Sequence, residues 1–265
     1  MAKPSVSVII PAYNAEKHII QTIESALFQD YEGYIEVIVI DDCSADDTFG
    51  VTSRYAKENK APRKRSLSVL KNEENMRVAR TRNKGVGLAK GDYICFLDSD
   101  DFWELSKVSR QMEDLLARDE KKNGEGDKIP VLSTTGRAFV NEAGLPTGKI
   151  VRVPTLISFT DNLKTNHISC SGAMVRRDVA VEFPMKRDDL VEDYICWLEI
   201  MKKYGPAAGL DESLLNYRIT KGSRSSNKLK AARTQYKVYR YFGISIPMSI
   251  CYMLSYMVNG IKKHF

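Results

Sequence analysis

The 265-residue chain lacks the residue patterns that staple small or metal-built folds. Its five cysteines, Cys43, Cys95, Cys170, Cys196 and Cys251, are odd in number, widely separated and never in a CxxC. A disulfide framework needs an even, clustered set, so this usage fits a reducing compartment. Three scattered histidines, His18, His167 and His264, offer no zinc spacing. No charged-then-apolar leader precedes the first apolar run at Val6, and a cytoplasmic location is expected. A dinucleotide fingerprint is missing too. In Gly85-Val86-Gly87-Leu88-Ala89-Lys90-Gly91 the third glycine falls one residue late, and the stretch closes a helix where the fingerprint opens one. Gly91 is expected to terminate that helix.

The end of the chain lacks acid altogether. From Lys221 to Phe265 there are nine Lys/Arg and no Asp or Glu, so residues 1–220 carry 31 basic and 34 acidic groups against an overall charge of +6. The basic excess therefore belongs to the tail, and it predicts an anionic partner there, a membrane surface or nucleic acid. No nucleic-acid-binding motif accompanies the charge, so no nucleic-acid partner is expected. Tyr241 to Ile261 runs 21 residues without a charge, long enough to span a bilayer. Pro247, Asn259 and several Tyr and Ser positions lower its hydrophobicity. Ile246, Ile250, Met253, Leu254, Met257, Val258 and Ile261 share one helical face between flanking cations, which suits a helix lying in a membrane interface. Packing on the rest of the chain, packing on a second copy in a homodimer, and spanning remain as alternatives.

What is present is an alternation. Val6–Ile10 reads as a strand stopped by Pro11, Ala15–Gln29 as a helix, and Tyr34–Ile40 as a second strand ending at Asp41-Asp42. A helix follows from about Ala45 with Ser44 as its cap. Leu67–Leu70, Val78–Ala89 and Tyr93–Leu97 continue the series. Such alternation predicts a mostly parallel sheet with helices on both faces, and ligands bind such sheets beyond the carboxyl ends of the strands. Pro11-Ala12-Tyr13-Asn14, Asp41-Asp42 and Asp98-Ser99-Asp100-Asp101 all lie at such ends, so they should converge on one edge. The second half is less regular. Val131-Leu132, Ala138–Val140 and Ala173–Val175 read as short strands, Lys149–Val153 as a hairpin return, Arg118–Pro130 as a loop, and Val191–Tyr204 as a helix with acids first and lysines last.

Phe96-Leu97-Asp98-Ser99-Asp100-Asp101 carries the chemistry. Three carboxylates at the end of a buried strand resist joint ionisation, and a hard cation bridging to phosphates would neutralise them. The same acids suit a helix N-cap before a helical stretch from Glu104. Taken alone, the segment fits both, although one Asp is enough for a cap.

Four motifs in order then resemble the family 2 glycosyltransferases: Val8–Asn14, Val39–Ser44, Ala79–Gly85 and Lys90–Trp103. The likeness returns at Val191-Glu192-Asp193-Tyr194, which resembles that family's ED motif, and at Asn216-Tyr217-Arg218. The resemblance implies an α/β GT-A (nucleotide-diphospho-sugar transferase) fold, its mostly parallel sheet flanked by helices, plus a C-terminal helical extension. It divides the chain into a glycosyltransferase domain at 1–220, with a nucleotide-sugar-binding half (1–103) and an acceptor-binding half (104–220), and a basic amphipathic helical tail at 221–265. It implies an inverting, hexosyltransferase-type reaction with a nucleotide-sugar donor, a UDP-sugar, and a lipid-linked or oligosaccharide acceptor in bacterial capsule, O-antigen or teichuronic-acid-type polymer synthesis. Location would be peripheral, on the cytoplasmic face of the inner (plasma) membrane.

Residue by residue, the resemblance implies that Pro11 and Tyr13 flank the nucleobase and that Asp42, with Asp41, accepts a hydrogen bond from uracil. Asp98 and Asp100 would hold Mn²⁺ or Mg²⁺ and face the donor, with Asp100 the preferred direct ligand and Ser99 beside the donor, while Asp101 keeps the capping role. Asp193 would be the general base; its bland alternative is an acid favoured by the helix dipole. Arg77 departs from the family, which commonly has glycine there. It either reaches the donor diphosphate or is a solvated arginine at a helix start. His167, Trp103 and Trp197 are weaker acceptor-pocket candidates, with loop hydrogen bonding and core packing as their ordinary roles. A polyprenyl-phosphate glycosyltransferase, whose acceptor phosphate needs no base, and a non-catalytic nucleotide-sugar-binding scaffold are the rival functions.

Overall fold

The computed structural model describes residues 3–58, 61–120, 130–186, 191–220 and 228–262. Its first half is the expected alternation: β1 (Val6–Ala12), α1 (Ile19–Leu27), β2 (Ile35–Asp41), α2 (Thr48–Glu58), β3 (Arg65–Lys71), α3 (Arg77–Leu88) and β4 (Tyr93–Phe96). β3, β2, β1 and β4 pair in that order, all parallel. Every residue of β1 is buried, because helices cover both faces. Pro11 does not stop β1, as the sequence suggested. Pairing with β4 ends at Ile9, so the proline, which has no N–H, sits where the strand has one neighbour.

Gly85 is obligatory for packing: a Cβ there would lie 2.4 Å from the Ile9 side chain, so α3 sits almost directly on β1. Gly91 has a similar role and does not cap the helix. α3 ends at Leu88 with Ala89 extended, and a Cβ on Gly91 would lie 2.6 Å from the Ser7 backbone nitrogen.

The second half extends the same sheet. β5 (Phe102–Trp103), α4 (Lys107–Glu120), β6 (Leu132–Val140), β7 (Pro146–Val151) and β8 (Leu156–Ile157) are followed by α5 (Phe159–Lys164) and a short 3₁₀ turn at Cys170–Gly172. Then come β9 (Met174–Arg176), α6 (Arg177–Glu182), α7 (Glu192–Tyr204) and β10 (Ala207–Arg218). The full order is β3-β2-β1-β4-β9-β6-β10-β5, with β7 on β6 and β8 on β10. One apolar layer lies between the sheet and α1 and α4, through Ile19, Ile23, Val108 and Met112. The other joins the opposite face to α3, α6 and α7, through Ala79, Val86, Val179 and Leu198.

Several boundaries differ from expectation. The two short strands at 131–132 and 138–140 are one strand, β6, which runs past the end of β4. β10 has no counterpart in the sequence reading, since Asp211-Glu212 breaks its apolar run; the structure absorbs that break as register shifts between Leu210 and Leu215. α2 starts at Thr48, three residues late. Asp46, rather than Ser44, accepts from the Thr48 N–H, at 3.1 Å. Most of the expected loop at 118–130 lies outside the described residues.

The tail forms α8 (Lys228–Tyr241) and α9 (Ile246–Lys262). Val238 and Tyr239 of α8 are fully buried, Tyr239 Oη donates to the Leu163 carbonyl at 3.0 Å, and Phe242 packs edge-on against Phe159. α9 turns its mixed side inward: Ser249 is buried and Tyr252 packs on Tyr239, while Ile246, Ile250, Leu254 and Met257 stand exposed. Met253 packs against the core instead of joining the apolar stripe. Among the described residues no helix is long and apolar enough to cross a membrane.

Candidate active site

The carboxyl ends of β1, β2 and β4 do come together. Asp42 N–H donates to the Ala12 carbonyl at 2.7 Å, and Asn72 N–H to Asp41 at 2.8 Å, so the loops after β1, β2 and β3 form one rim. Asn14, at φ +51°, locks the first two: its N–H donates to Ser44 Oγ and its Oδ1 accepts from Ala45 N–H. Ser44, expected as a cap, is part of this lock. Tyr13 projects from the rim half-exposed, while Pro11 is buried beneath it.

Asp42 is buried, and its Oδ1 takes both Asn72 Nδ2 at 2.7 Å and Met76 N–H at 2.8 Å. Both bonds fall on the same oxygen and fix the carboxylate's orientation. Asp41 is wholly buried, with Ser44 N–H on Oδ2 at 3.3 Å and no partner on Oδ1. Arg77 has φ +65°, the region glycine adopts without strain. Arg77 therefore holds a strained backbone conformation at the first position of α3, next to Met76, whose N–H donates to Asp42.

The acid loop after β4 is pinned from several sides. Asp98 N–H donates to Ser171 Oγ at 3.1 Å, Ser171 Oγ donates to Asp101 Oδ2 at 2.7 Å, and Trp103 Nε1 donates to the Ser171 carbonyl at 2.7 Å. Arg218 closes the far side: its N–H binds Asp101 Oδ1 and its Nε the Asp100 carbonyl. Thr22 Oγ1 donates to the carbonyls of Ser99 and Asp101. Asp101 is thus a buried structural acid and caps no helix, because β5 and a turn intervene before α4 begins at Lys107. Burial, and then the charges of Asp98 and Asp100, push the Asp101 carboxyl well above the usual range. Burial and then Asp98 also raise Asp100.

This crowding is the test of a cation site. Asp98 keeps about a third of its side-chain surface exposed, and Arg218 satisfies the Asp100 carbonyl rather than its carboxylate. Among the described residues no group of three or more His, Cys, Asp or Glu could enclose a metal. A pair of mutually repelling carboxylates open to one side fits a divalent ion whose shell is completed by phosphate and water.

Asp193 stands in the first turn of α7, partly exposed, its Oδ1 accepting from Tyr194 N–H at 2.8 Å. Burial, and then the neighbouring Glu192 charge, raise its carboxyl to about 6 against the opposing pull of Arg82. Sequence reasoning missed Arg82. Only 2% exposed, it spans from Asp98 Oδ1 at 2.5 Å to Glu192 Oε1 at 3.0 Å and so links the acid loop to the start of α7. The signal was there in Arg80-Thr81-Arg82-Asn83, one of whose arginines had to point inward from α3. Trp103 and Trp197 are both core residues, 4% and 1% exposed, and neither is available to stack on a sugar. The His167 N–H is held by Asn162 Oδ1, as in an ordered loop.

Comparison with known proteins places the fold and the family. TuaG of Bacillus subtilis (strain 168), a glycosyltransferase assigned to teichuronic acid biosynthesis, is 34% identical over 262 residues, 98% of each chain. The Escherichia coli UDP-Glc:alpha-D-GlcNAc-diphosphoundecaprenol beta-1,3-glucosyltransferase WfaP is 34% identical over 259 residues, 98% of this chain and 95% of its own. Among solved structures, S. aureus TarS 1-349 in complex with UDP-GlcNAc superposes with a TM-score of 0.68 at 19% identity, over 96% of this chain and 71% of that one. The Pyrobaculum calidifontis mannosyltransferase PcManGT, in complex with GDP-Man and Mn2+, gives 0.70 at 16% identity over 92% and 66%. These likenesses make the fold GT-A. The sequence model for Glycosyl transferase family 2 matches residues 7–183, and with relatives of this identity along its whole length the chain belongs to that family and is a glycosyltransferase.

Proposed function

We propose that this glycosyltransferase is inverting and metal-dependent, and moves a sugar from a UDP-sugar to a hydroxyl of a lipid-linked saccharide in bacterial surface polysaccharide synthesis. The observation that carries the proposal is a short bridge between two acidic clusters: Arg82 holds Asp98, the neighbour of Asp100, on one side and Glu192 on the other, and Glu192 immediately precedes Asp193, whose carboxyl is raised to about 6. Transfer from a nucleoside diphosphate needs charge neutralisation on the leaving group and one base for the incoming hydroxyl. The two sides supply one each.

In this reading the rim binds the nucleotide, with Tyr13 against the base over buried Pro11 and Asp42 Oδ2 accepting from the base edge. Asp41 supports that rim from beneath. Asp98 and Asp100 would hold Mn²⁺ or Mg²⁺, with Ser99 between them against the donor and Arg77 reaching its diphosphate. The ion, when bound, supplies electrostatic stabilisation of the departing diphosphate. Asp193 takes the proton from the acceptor hydroxyl as that oxygen attacks the anomeric carbon. Direct attack with a single base inverts the centre. Residues 1–103 would form the donor half and 104–220 the acceptor half.

The donor and acceptor classes are supported by the similarity to WfaP, a UDP-Glc:alpha-D-GlcNAc-diphosphoundecaprenol beta-1,3-glucosyltransferase. A lipid-linked acceptor requires a membrane, and the exposed apolar stripe of α9, together with the exposed cations Arg233, Lys237 and Arg240 of α8, would offer a peripheral contact on its cytoplasmic face. The test is a screen of UDP-, GDP- and TDP-sugars for metal-dependent thermal stabilisation, followed by transfer assays. Stabilisation by a UDP-sugar with Mn²⁺, lost in Asp100→Ala, and transfer lost in Asp193→Asn are expected. Full transfer by both variants overturns the proposal.

A further inference from the structure

Arg82 bridges two acids whose elements are distant in sequence, and it does so from inside the protein. Its fork donates through Nη2 to Asp98 Oδ1 at 2.5 Å and through Nη1 to Glu192 Oε1 at 3.0 Å, while Nε is buried with no hydrogen-bond partner. Glu192 is itself 4% exposed, so it offers little surface to a substrate. The neighbouring Asn83 fastens the same helix to the chain leading into α7, exchanging two hydrogen bonds with the Met185 backbone at 2.7 and 2.9 Å. Burying Arg82 and Glu192, with the Arg82 Nε left unpartnered, contributes little net stability, because desolvation offsets the attraction. A planar fork is suited to a different task, which is to hold two carboxylates at fixed distance and angle.

We infer that Arg82 is a positioning residue for both halves of the reaction: through Asp98 it sets the acid loop that receives the donor diphosphate and its cation, and through Glu192 it sets the first turn of α7 that carries Asp193. The inference rests on the proposed roles of Asp98 and Asp193, and it adds a mechanical coupling between them. Seating the donor at Asp98 tightens one arm of the fork, and the other arm keeps the base in register. Glu192 is then the α7-side anchor, separable from donor binding.

The test separates the two arms. Binding of UDP with Mn²⁺ is measured by calorimetry without acceptor, and turnover is measured at saturating donor. Arg82→Lys keeps the charge but cannot fork, so it should weaken UDP–Mn²⁺ binding and lower kcat, each by about tenfold to a hundredfold, the usual scale for a residue that orients a metal-binding carboxylate. Glu192→Gln should lower kcat by at least about tenfold while leaving UDP–Mn²⁺ affinity within about twofold. That split is not produced by general loosening, which degrades both. Should Arg82→Lys fail to fold, Glu192→Gln carries the test alone, since it keeps shape and hydrogen bonding. A folded Glu192→Gln with unchanged kcat, or one that loses donor affinity in proportion, overturns the coupling. Failure of the base assignment is seen separately, as full transfer by Asp193→Asn.

Discussion

Asn72 holds Asp42 through a 2.7 Å hydrogen bond from its Nδ2 to Asp42 Oδ1, and the same amide nitrogen lies 3.1 Å from Thr81 Oγ1. Lys84 Nζ in turn donates to Asn72 Oδ1 at 2.8 Å. Asp42 is thereby oriented by a side chain from the end of β3, itself braced by α3. Asn72→Ala removes a hydrogen bond to a carboxylate in a buried setting and should lower stability by about 1.5–3 kcal/mol. It should also weaken UDP binding, by about tenfold, since Met76 N–H alone is left to orient the acid. Denaturant unfolding and UDP calorimetry read the two effects, and unchanged UDP affinity in a folded variant would remove Asp42 from the base-recognition role.

The raised carboxyl of Asp193 predicts a pH dependence of both rate and stability. As a base it must be ionised, so kcat at saturating donor should fall below pH about 6, by about tenfold per unit. The stability sign is opposite to that of a salt-bridged acid. The folded carboxyl holds its proton up to about 6 while the unfolded one releases it near 3.8. The contribution of this group is therefore most favourable below the unfolded value and is lost as pH rises through that window. Asp193→Asn keeps an acceptor for Tyr194 N–H and removes the penalty. It should be more stable than the parent by about 1–2 kcal/mol at pH 7.5, after allowance for solvent screening of this partly exposed group, and equal to it below pH about 3.5. Thermal melts across pH measure this. A destabilised Asp193→Asn at pH 7.5 would contradict the strained-acid picture.

The parts of the site that sequence made legible were those in which one residue type has one use. Strand-end position located Tyr13, Asp42 and the Asp98–Asp101 loop, because apolar runs of parallel strands are unmistakable when both faces are buried. Role assignment within the loop was not legible. Asp101 looks like a cap because acids precede a helix, yet two residues of β5 and the bonds from Ser171 and Arg218 make it a buried tie. Those partners are far away in the chain, and nothing local marks them. β10 escaped for a related reason. Its Asp211-Glu212 interruption reads as a loop until Glu212 is seen to pair with Arg110 and Asp211 with Arg152. Arg82 could not be distinguished from Arg80 by type; only the helical phase imposed by Gly85 on Ile9 turns one inward.

Arg77 carries a second stability prediction. A non-glycine residue at φ +65° costs about 1–3 kcal/mol relative to an unstrained conformation. Arg77→Gly should recover about 1 kcal/mol, less than the full strain because glycine gains more freedom in the unfolded chain. If the guanidinium reaches the donor diphosphate, the same variant should bind UDP about tenfold more weakly, the scale of one lost charge-assisted hydrogen bond. Arg77→Lys would keep the charge and the strain together, so it should bind nearly as the parent does with no gain in stability. A variant that is stabilised without losing UDP affinity would reduce Arg77 to a solvated side chain.

The outward face of α9 predicts a lipid-dependent partition. Ile246, Ile250 and Leu254 are 56%, 55% and 56% exposed although the helix is otherwise docked through Ser249, Tyr252 and Met253. Apolar side chains can insert into the acyl boundary while the acid-free basic segment meets anionic headgroups, each cation near the surface adding about 1 kcal/mol that salt screens. The full-length protein should sediment with vesicles containing anionic phosphatidylglycerol, less with purely zwitterionic vesicles, and less again at high salt. The double variant Ile250→Glu/Leu254→Glu puts charge into the stripe without touching the packed side, so its melting behaviour should match the parent within about 0.5 kcal/mol. Its vesicle binding should be lost, and transfer to a soluble acceptor analogue retained. Truncation after Arg240 is the poorer probe, because it strips Phe242 from Phe159 and Tyr252 from Tyr239 and so disturbs the fold as well as the surface. Undiminished sedimentation of the double variant would show that the stripe does not face lipid; concentration-dependent self-association relieved by the same substitutions would assign it to a second copy of the chain instead.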